Sequence, residues 1–358
     1  MKILFITRKY PPKVGGMENY SYGLISNIDC HKHIIALKHS QYHLIWFLPY
    51  AFLKSLVMFW HVDIIYLCDS LLAPLGYLLK VITRKPVFVT AHGLDVTYNR
   101  FCYQKMVTPF LKKMDRVYAV SQNTVEECVK RGVKRKKCIF IPNGVAQPEP
   151  GTKYQKKDLE RFLDLSLENK KVLLSLGRLI PRKGVEWFIE EVVEKLPSNI
   201  IYVVVGEGEN REVIEHSVHD QGLGNRVFIV GRVKDIEREM LFQTADVFVM
   251  PNIRVEGDVE GFGIVAIEAA IQGLPVVASN IEGINDAIIE GHNGFLVESG
   301  NAQAFEDKIR YILDQEDIKS LSEQVSDYTK QNYSWQHVSN LYLQEFEQWE
   351  KNKRISKN

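Results

Sequence analysis

The sequence predicts an α/β protein built from two doubly wound domains that face each other across a cleft. Short apolar runs rich in β-branched residues recur along the 358 residues, and longer helix-like segments separate them. Runs this apolar are typical of parallel strands buried on both faces, and their alternation with helices predicts βαβ crossovers. A polar interruption near the middle divides the runs into two series, and the chain length suits two domains.

Each series contains six runs. The first comprises Ile3–Ile6, Ile34–Leu37, Ile64–Cys68, Val87–Thr90, Val117–Val120 and Ile139–Ile141, and the second comprises Val172–Leu176, Ile200–Val205, Val227–Val230, Val247–Met250, Pro275–Ala278 and Phe295–Val297. The stretch from Gly144 to Lys171 holds no apolar strand. We therefore predict an N-terminal domain over residues 1–165, a second domain over 166–334, and a final helix over 335–358 that packs back on the first domain.

Composition and charge are those of a soluble globular protein with two unlike halves. Apolar residues make up 46% of the chain and charged residues 25%. Residues 1–150 contain 21 Lys+Arg and 9 Asp+Glu, a net +12, and the remainder contains 24 and 35, a net −11, which together give the formal charge of +1. The basic half is expected to face an anionic partner, which leaves an anionic membrane or a phosphorylated acceptor open. A nucleic-acid partner is disfavoured because no recognisable module with interleaved aromatics is present.

The N-terminus and the cysteines indicate a cytoplasmic protein. The first apolar run is too short for a secretory signal and is followed at once by Arg8. The five cysteines are scattered and form no C-x-x-C pair. Scattered thiols suit a reducing compartment.

Ligands of doubly wound sheets bind beyond the carboxyl ends of the strands, so residues directly after each strand are candidates. Gly15 and Gly16 follow the first strand and begin a helix, where a bare backbone and free N–H groups favour an anion. The alternative is a plain strand-to-helix turn. His92 follows the fourth strand and can hydrogen-bond a ligand hydroxyl or act as a base. The alternative is a histidine satisfied by nearby backbone.

A basic turn follows the first strand of the second series. Arg178 can fork onto phosphate oxygens, and Lys183 adds a point charge before the next helix. Neither a Walker loop nor a G-x-G-x-x-G dinucleotide motif is present. We interpret the turn as an anion site, and the alternative is a solvated basic turn.

The densest pattern runs from Glu260 to Glu268 and continues into a predicted helix. Gly261 and Gly263 flank Phe262 and leave the backbone bare. Eight residues of helix span about 12 Å, whereas glycosidase carboxylates lie roughly 5 to 9.5 Å apart, so the two glutamates are not expected to be an acid/base pair. Glu268 has apolar sequence neighbours and needs hydrogen-bond partners. The alternative is a helix cap plus one surface glutamate.

These motifs together resemble the GT-B glycosyltransferases of family 4. Glu260 to Glu268 is similar to that family's E-x7-E motif, and Gly177–Gly184 to its phosphate-binding loop. The resemblance implies two Rossmann-like domains, with Arg178 and Lys183 on the donor diphosphate, helped by the amides of Gly15 and Gly16. It further implies that Glu268 binds the ribose and that the loop at Val233 contacts the base. The transferred sugar would be bound by Glu260 and by the amides of Gly261, Phe262, Gly263 and Ile264. His92 would contact the hydroxymethyl region of that sugar.

The implied reaction is metal-independent hexosyl transfer with retention, with no cofactor beyond the nucleotide-sugar donor. The stretch from Arg254 to Gly263 is similar to mannosyltransferases that act on phosphatidylinositol mannosides, which favours GDP-mannose. A non-catalytic nucleotide-sugar-binding subunit and a GT-B sugar-nucleotide epimerase are the alternatives.

Two segments bear on the acceptor. Leu44–Trp60 is apolar at 14 of 17 positions, and Lys130–Lys137 has six cations in eight residues. The first is typical of a membrane-interface helix or of a helix packed on the sheet, and the second of an anionic-lipid contact or of a solvated loop. We predict a lipid-linked or glycan acceptor in cell-envelope or polysaccharide synthesis, and peripheral contact with the inner face of the cytoplasmic membrane.

Overall fold

The computed structural model describes residues 1–12, 15–38, 40–98, 101–148, 151 and 153–355, and only the backbone of Cys102 and Arg354. Its contacts divide the chain into two compact units. The first unit comprises Met1–Ala146, Gly257–Phe262 and Tyr333–Asn358, and the second comprises Gln147–Glu256 and Gly263–Asn332. Each unit contains one six-stranded parallel sheet, which confirms the predicted α/β class.

The first sheet has the strand order β2-β1-β3-β4-β5-β6, so the chain reverses its direction of progress between β1 and β3. Its strands and helices, in chain order, are β1 Lys2–Thr7, α1 Gly16–Asn27, β2 His31–Ala36, α2 Leu44–Met58, β3 Ile64–Leu67, α3 Ala73–Thr83, β4 Val87–Ala91, α4 Leu94–Thr97, α5 Phe101–Leu111, β5 Arg116–Ala119, α6 Gln122–Lys130 and β6 Cys138–Phe140.

The second sheet has the order β12-β11-β10-β7-β8-β9 and reverses between β7 and β10. Its elements are α7 Lys156–Leu163, β7 Lys171–Leu176, α8 Val185–Glu191, β8 Ile200–Val205, α9 Arg211–Asp220, β9 Val227–Gly231, α10 Asp235–Thr244, β10 Val247–Met250, α11 Ile264–Ile271, β11 Val276–Ser279, α12 Ile284–Ala287, β12 Phe295–Val297, α13 Ala302–Leu313 and α14 Ile318–Tyr333.

The last helix, α15 (Trp335–Ile355), groups with the first unit. Its inner residues Val338, Tyr342 and Phe346 are fully buried in one apolar cluster with residues of β1, β3 and β4. The indole of Trp335 is held against two glycines, because a Cβ at Gly23 would lie 2.0 Å from its Cε2 and the position at Gly144 is as crowded. Helices α1 and α15 therefore cover one face of the first sheet.

Three strands depart from the prediction that every run is buried on both faces. Most residues of β2, β6 and β9 are exposed or half-buried. All three are edge strands, so fewer neighbours cover them. The central strands β3, β4 and β8 are buried along their whole length, as the apolar runs predict.

Helix α7 lies on the other side of the predicted boundary at residues 165/166. Its Leu159 is fully buried in the apolar core of the second unit, and the unit boundary falls at Ala146/Gln147. A capping box at Gln155 and Asp158 begins the helix. The short amphipathic helix joins the second core because its single stripe of apolar residues is buried there.

Candidate functional site

The reversal between β7 and β10 in the second unit creates the position where doubly wound sheets bind ligands. A cavity opens there at the carboxyl ends of both strands. Its lining includes Gly177, Arg178 and Lys183 from the turn after β7, and Pro251 and Asn252 from the turn after β10. The structure thus brings the two predicted phosphate-binding cations to one cavity.

Glycines let the turns around this cavity pack backbone against backbone. A Cβ at Gly206, after β8, would lie 1.8 Å from the carbonyl oxygen of Gly177. A Cβ at Gly184 would lie 2.0 Å from the carbonyl oxygen of Pro251, and Gly184 has a φ of +64°. Any larger residue at these positions would push apart the turns that carry Arg178 and Lys183.

The two cations sit differently on the turn. Lys183 is half-buried, and its stem packs over Gly177, where a Cβ would lie 3.5 Å from Lys183 Cε. Arg178 is exposed, and within the described part of the chain its guanidinium makes no hydrogen bond or ion pair. A guanidinium and an ammonium beside one cavity suit an anion with several oxygens, such as a diphosphate.

Glu268 lies on α11, a helix that begins after Gly263 in a left-handed conformation (φ +83°). The side chain is half-buried, and no hydrogen bond or ion pair from the described residues reaches its carboxylate. Burial raises the pKa of Glu268, and the nearby Arg238 opposes that shift only in part. Arg238 is itself paired with Asp235 at 3.2 Å. A half-buried carboxylate with no hydrogen-bond partner among the described residues favours a ligand that donates hydrogen bonds.

Val233 follows β9 in the same unit. Its side chain is half-buried and packs against the core of the second unit. Gly231, two residues earlier, adopts a φ of +71° and turns the chain out of the strand. The side chain of Val233 therefore packs on the core, so only its backbone groups could contact a ligand.

In the first unit, His92 lies directly after β4 and is fixed on two sides. Its Nε2 is 2.8 Å from the carbonyl oxygen of Cys68, and its ring packs edge-on against Tyr20 with the centroids 4.6 Å apart. Because a carbonyl only accepts, Nε2 carries a proton, and in the neutral ring Nδ1 is then an acceptor. A backbone carbonyl therefore satisfies Nε2, whereas Nδ1 makes no hydrogen bond within the described chain.

A pair of aspartates that no sequence motif had indicated lies behind His92. Asp95 accepts hydrogen bonds from the backbone N–H of His92 at 2.7 Å and of Ser70 at 2.9 Å. Asp69 is fully buried and pairs with Arg8 at 2.9 Å, although burial raises its pKa more than Arg8 lowers it. The two aspartates follow the neighbouring strands β3 and β4, so strand ends were the signal that could have identified them.

Gly15 and Gly16 begin α1 as predicted, but a carboxylate from the same helix lies beside them. A Cβ at Gly15 would lie 2.5 Å from Glu18 Oε2, and Glu18 pairs with Lys9 at 3.0 Å. Glu18 thus provides the negative charge that the positive end of a helix favours. A donor phosphate at these amides would have to displace this side chain.

The pattern from Glu260 to Glu268 is divided between the two units. Glu260, Gly261 and Phe262 group with the first unit, whereas Gly263, Ile264 and Glu268 belong to the second. Within the first unit, Gly261 lies against the His92 turn, since a Cβ at Gly261 would lie 2.5 Å from the His92 carbonyl oxygen. Because α11 begins only at Ile264, a helical rise does not measure the separation of the two glutamates.

Two family models together match most of the chain. The model described as "Glycosyltransferase Family 4" matches residues 3–146, and the model described as "Glycosyl transferases group 1" matches residues 156–332. The first matches most of the first unit, and the second matches nearly all of the second unit.

Two named relatives are similar to the chain in sequence, and a solved structure is similar to it in fold. The chain is 28% identical over 273 residues to the Escherichia coli UDP-Gal:alpha-D-GlcNAc-diphosphoundecaprenol alpha-1,3-galactosyltransferase, covering 73% of this chain and 68% of that protein. It is 29% identical to the Mycobacterium tuberculosis GDP-mannose-dependent alpha-(1-6)-phosphatidylinositol monomannoside mannosyltransferase, covering 49% of this chain and 46% of that protein. The crystal structure of Anabaena HepE in complex with UDP superposes with a TM-score of 0.76 at 19% identity, covering 97% of this chain and 100% of that one.

Proposed function

The chain belongs to the family 4 glycosyltransferases of the GT-B fold, enzymes that act on nucleotide-sugars, and we propose that it is a retaining hexosyltransferase with a lipid-linked acceptor. The observation that carries the proposal is the cavity at the β7/β10 reversal, which holds Arg178 and Lys183 together. Breaking a sugar–phosphate bond leaves negative charge on the diphosphate. Two cations fixed beside it stabilise that charge in the transition state, which is the role a metal ion plays in other transferases.

The remaining predicted residues would hold the rest of the donor. Glu268 offers an unsatisfied carboxylate to the two hydroxyls of a ribose, and the backbone at Val233 faces the base. Glu260 and the amides from Gly261 to Ile264 would bind the transferred sugar. His92 would accept a hydrogen bond at Nδ1 from a sugar hydroxyl, because its Nε2–H is already donated to Cys68.

Retention is proposed without an enzyme nucleophile. In a same-face displacement, the acceptor oxygen bonds to the anomeric carbon as the bond to the donor phosphate oxygen breaks. The acceptor proton passes to that phosphate oxygen, so the products are a glycoside and a nucleoside diphosphate with no covalent enzyme intermediate. Arg178 and Lys183 would contribute by holding the leaving diphosphate in place.

GDP-mannose remains the proposed donor, and the names of two relatives bear on both the donor and the acceptor. One printed name specifies UDP-Gal and another GDP-mannose, but both specify acceptors attached to a lipid, through undecaprenol diphosphate or phosphatidylinositol. The lipid is not general among the relatives, because others are named D-inositol 3-phosphate glycosyltransferases, so the lipid-linked acceptor is proposed from these two names alone. We propose that the reaction takes place at the inner face of the cytoplasmic membrane, in envelope or polysaccharide synthesis.

The donor is tested first by thermal shift against GDP, UDP and ADP and their sugars. The expected result is a larger stabilisation by GDP-mannose than by any UDP- or ADP-sugar; a preference for UDP-hexoses would replace mannose but keep the transferase. Incubation of labelled donor with membrane extract then tests transfer, with Lys183→Ala as the matched inactive control. Retention is read from the anomeric configuration of the product by NMR, and added EDTA should leave the rate unchanged.

The same assay separates the alternatives. A non-catalytic binding subunit would bind donor and release no nucleoside diphosphate in the presence of membrane extract. An epimerase would change the sugar without any acceptor. Either outcome would contradict the proposed transfer.

A further inference from the structure

Helix α2 carries an apolar stripe on its solvent side. The exposed side chains recur every three or four residues from the turn before the helix to the turn after it, and they are Tyr42, Ile45, Trp46, Tyr50, Leu53, Val57 and Trp60. Trp46, Val57 and Trp60 are 77%, 74% and 75% exposed. Spacing of this kind places the side chains from Ile45 to Val57 on one side of α2, along about 18 Å of its length.

The opposite side of α2 is equally apolar and faces the first sheet. Phe47, Ala51 and Ser55 are buried, and the Ser55 hydroxyl donates to the Ala51 carbonyl at 2.6 Å. Leu48 and Phe52 pack against the same core. A helix on the surface of a soluble domain ordinarily presents polar residues to water, so the outer stripe of α2 needs a different surrounding.

The neighbouring helices extend this apolar surface. Helix α3 packs beside α2, and α5 packs beside α3. Their exposed large apolar side chains are Leu78, Val81 and Ile82 on α3, and Phe101 and Met106 on α5. The second unit exposes far fewer large apolar side chains in the part described, namely Val213, Ile236, Tyr311 and Ile318.

The helices that carry this surface hold cations and no carboxylates, although Lys80 on α3 pairs with Asp115 at 2.7 Å. The sequence has no Asp or Glu between Asp29 and Asp63, and none within α3 or α5. Lys54 lies on α2 and donates to the Tyr50 hydroxyl at 3.0 Å, and Lys105 stands 4.1 Å above the exposed ring of Phe101. Apolar and aromatic residues with cations and without carboxylates match an anionic lipid surface.

The basic loop Lys130–Lys137 is less suited to that contact than its sequence implies. Lys130 pairs with Glu127 at 2.7 Å, and Arg135 pairs with Glu126. Lys137 donates to the carbonyl oxygen of Met114 at 2.6 Å. Much of the charge of this loop is therefore used within the first unit.

We propose that α2 docks the first unit on an anionic bilayer, lying in the plane of the membrane with its outer stripe among the acyl chains. Gln41–His61 is long and apolar enough to cross a membrane, and most of it is not buried within the protein. An in-plane position keeps the inner side of α2 on the sheet, whereas a span would strip Phe47 and Ala51 out of the core. The inference rests on the proposed function, since a docked enzyme would meet a lipid-linked acceptor at the surface where it lies.

Flotation with vesicles tests the docking. Vesicles of phosphatidylcholine with about 30% phosphatidylglycerol should bind the full chain, and pure phosphatidylcholine should bind it several-fold more weakly because each nearby cation adds to the attraction. Trp46→Glu and Val57→Glu should each weaken binding to the vesicles at least about tenfold, because each places a charge where the docked protein inserts an apolar side chain into the bilayer. Ile236→Glu, at a 64% exposed position of the second unit, is the matched control and should bind as wild type.

Each outcome has a defined meaning. Absence of wild-type binding to the anionic vesicles, or unchanged binding of both α2 variants, would overturn the docking. A stable dimer in solution that Trp46→Glu and Val57→Glu both dissociate would assign the stripe to a second copy and also overturn it. Thermal shift with nucleotide confirms that every variant is folded. Transfer to a short-chain, water-soluble acceptor without vesicle binding would refute the docking alone, whereas vesicle binding without transfer would refute the proposed function alone.

Discussion

Replacing Glu268 by glutamine should weaken donor binding and at the same time stabilise the empty protein. The carboxylate is half-buried on α11, and no hydrogen bond from the described residues satisfies it. A ribose would supply two donors to it. Glutamine keeps the shape and removes the charge, so the two effects can be measured on one variant.

The magnitudes follow from the chemistry of the group. Hydrogen bonds to a charged acceptor contribute about 1.5–3 kcal/mol each, and an amide oxygen keeps part of this, so we expect a loss of about 2 kcal/mol, or about 30-fold in the Kd of the nucleoside diphosphate. Removing a partly desolvated charge should raise the free energy of unfolding by up to about 1 kcal/mol, which for a domain of this size raises Tm by up to about 2–4 °C.

The gain in stability should depend on pH. Burial raises the pKa of Glu268 in the folded protein, so the native state holds its proton at pH values where the unfolded chain has released it. Stability of the wild type therefore falls as pH rises from the unfolded pKa through the raised folded pKa. The Gln variant lacks this loss, so its advantage should be present at neutral pH and disappear in acid.

Titration calorimetry gives the Kd, and differential scanning calorimetry of the empty protein at several pH values gives Tm. Glu268→Asp is a useful control, since it keeps the charge and withdraws it by one methylene. A variant that binds nucleotide as wild type would remove Glu268 from the donor site. A lower Tm at neutral pH would show that the carboxylate stabilises the empty fold, and the reasoning from burial would be wrong.

Three further predictions concern the turns that hold the site. Lys183→Ala should lower kcat by about 100-fold with little change in KM, because leaving-group charge develops only in the transition state; a rise in KM alone would assign Lys183 to ground-state binding. Gly184→Ala should destabilise the protein well beyond Gly222→Ala, which shares a φ of +64° but has open space around its Cβ, so equal Tm values would contradict the close packing. Asp95→Asn should lower kcat with little change in donor Kd. The Asp95 carboxylate accepts from the backbone N–H groups of His92 and Ser70, and in the variant one of these two groups loses its acceptor oxygen. An unchanged rate would show that the carboxylate does not position the histidine.

Much of the fold could be predicted because burial leaves a direct trace in the sequence. Central strands such as β3 and β8 are continuous apolar runs, and their order along the chain implies the parallel crossovers. The edge strand β2 was the harder case, since its first residues are His31, Lys32 and His33, and it is held by backbone pairing with β1. The predicted boundary falls after α7 and the observed one before it, because α7 is polar in sequence and only the burial of Leu159 shows that the helix packs on the second core.

The placement of two cations beside one cavity was predictable, because a motif there combines charge with glycine. Arg178 and Lys183 follow a strand end and do line one cavity. The strand ends mark Asp69 and Asp95 as candidates, but their meeting behind His92 was not predictable, because it depends on the register of β3 with β4. The contact of Glu18 with Gly15 was also not predicted, because it depends on the rotamer that turns the carboxylate back over the start of the helix.

The position of α15 has a consequence for how the polypeptide acquires its structure during synthesis. Ile3 and Phe5 of β1 share their cluster with Val338 and Tyr342, and the Tyr20 hydroxyl donates to that of Tyr342 at 2.9 Å. The first unit therefore lacks one wall until residues 335–355 leave the ribosome. Translation of residues 147–334 takes roughly 10–40 s at about 5–20 residues per second. Throughout that interval the part of this apolar face that α1 does not cover stays exposed, and it is a natural binding site for a general chaperone.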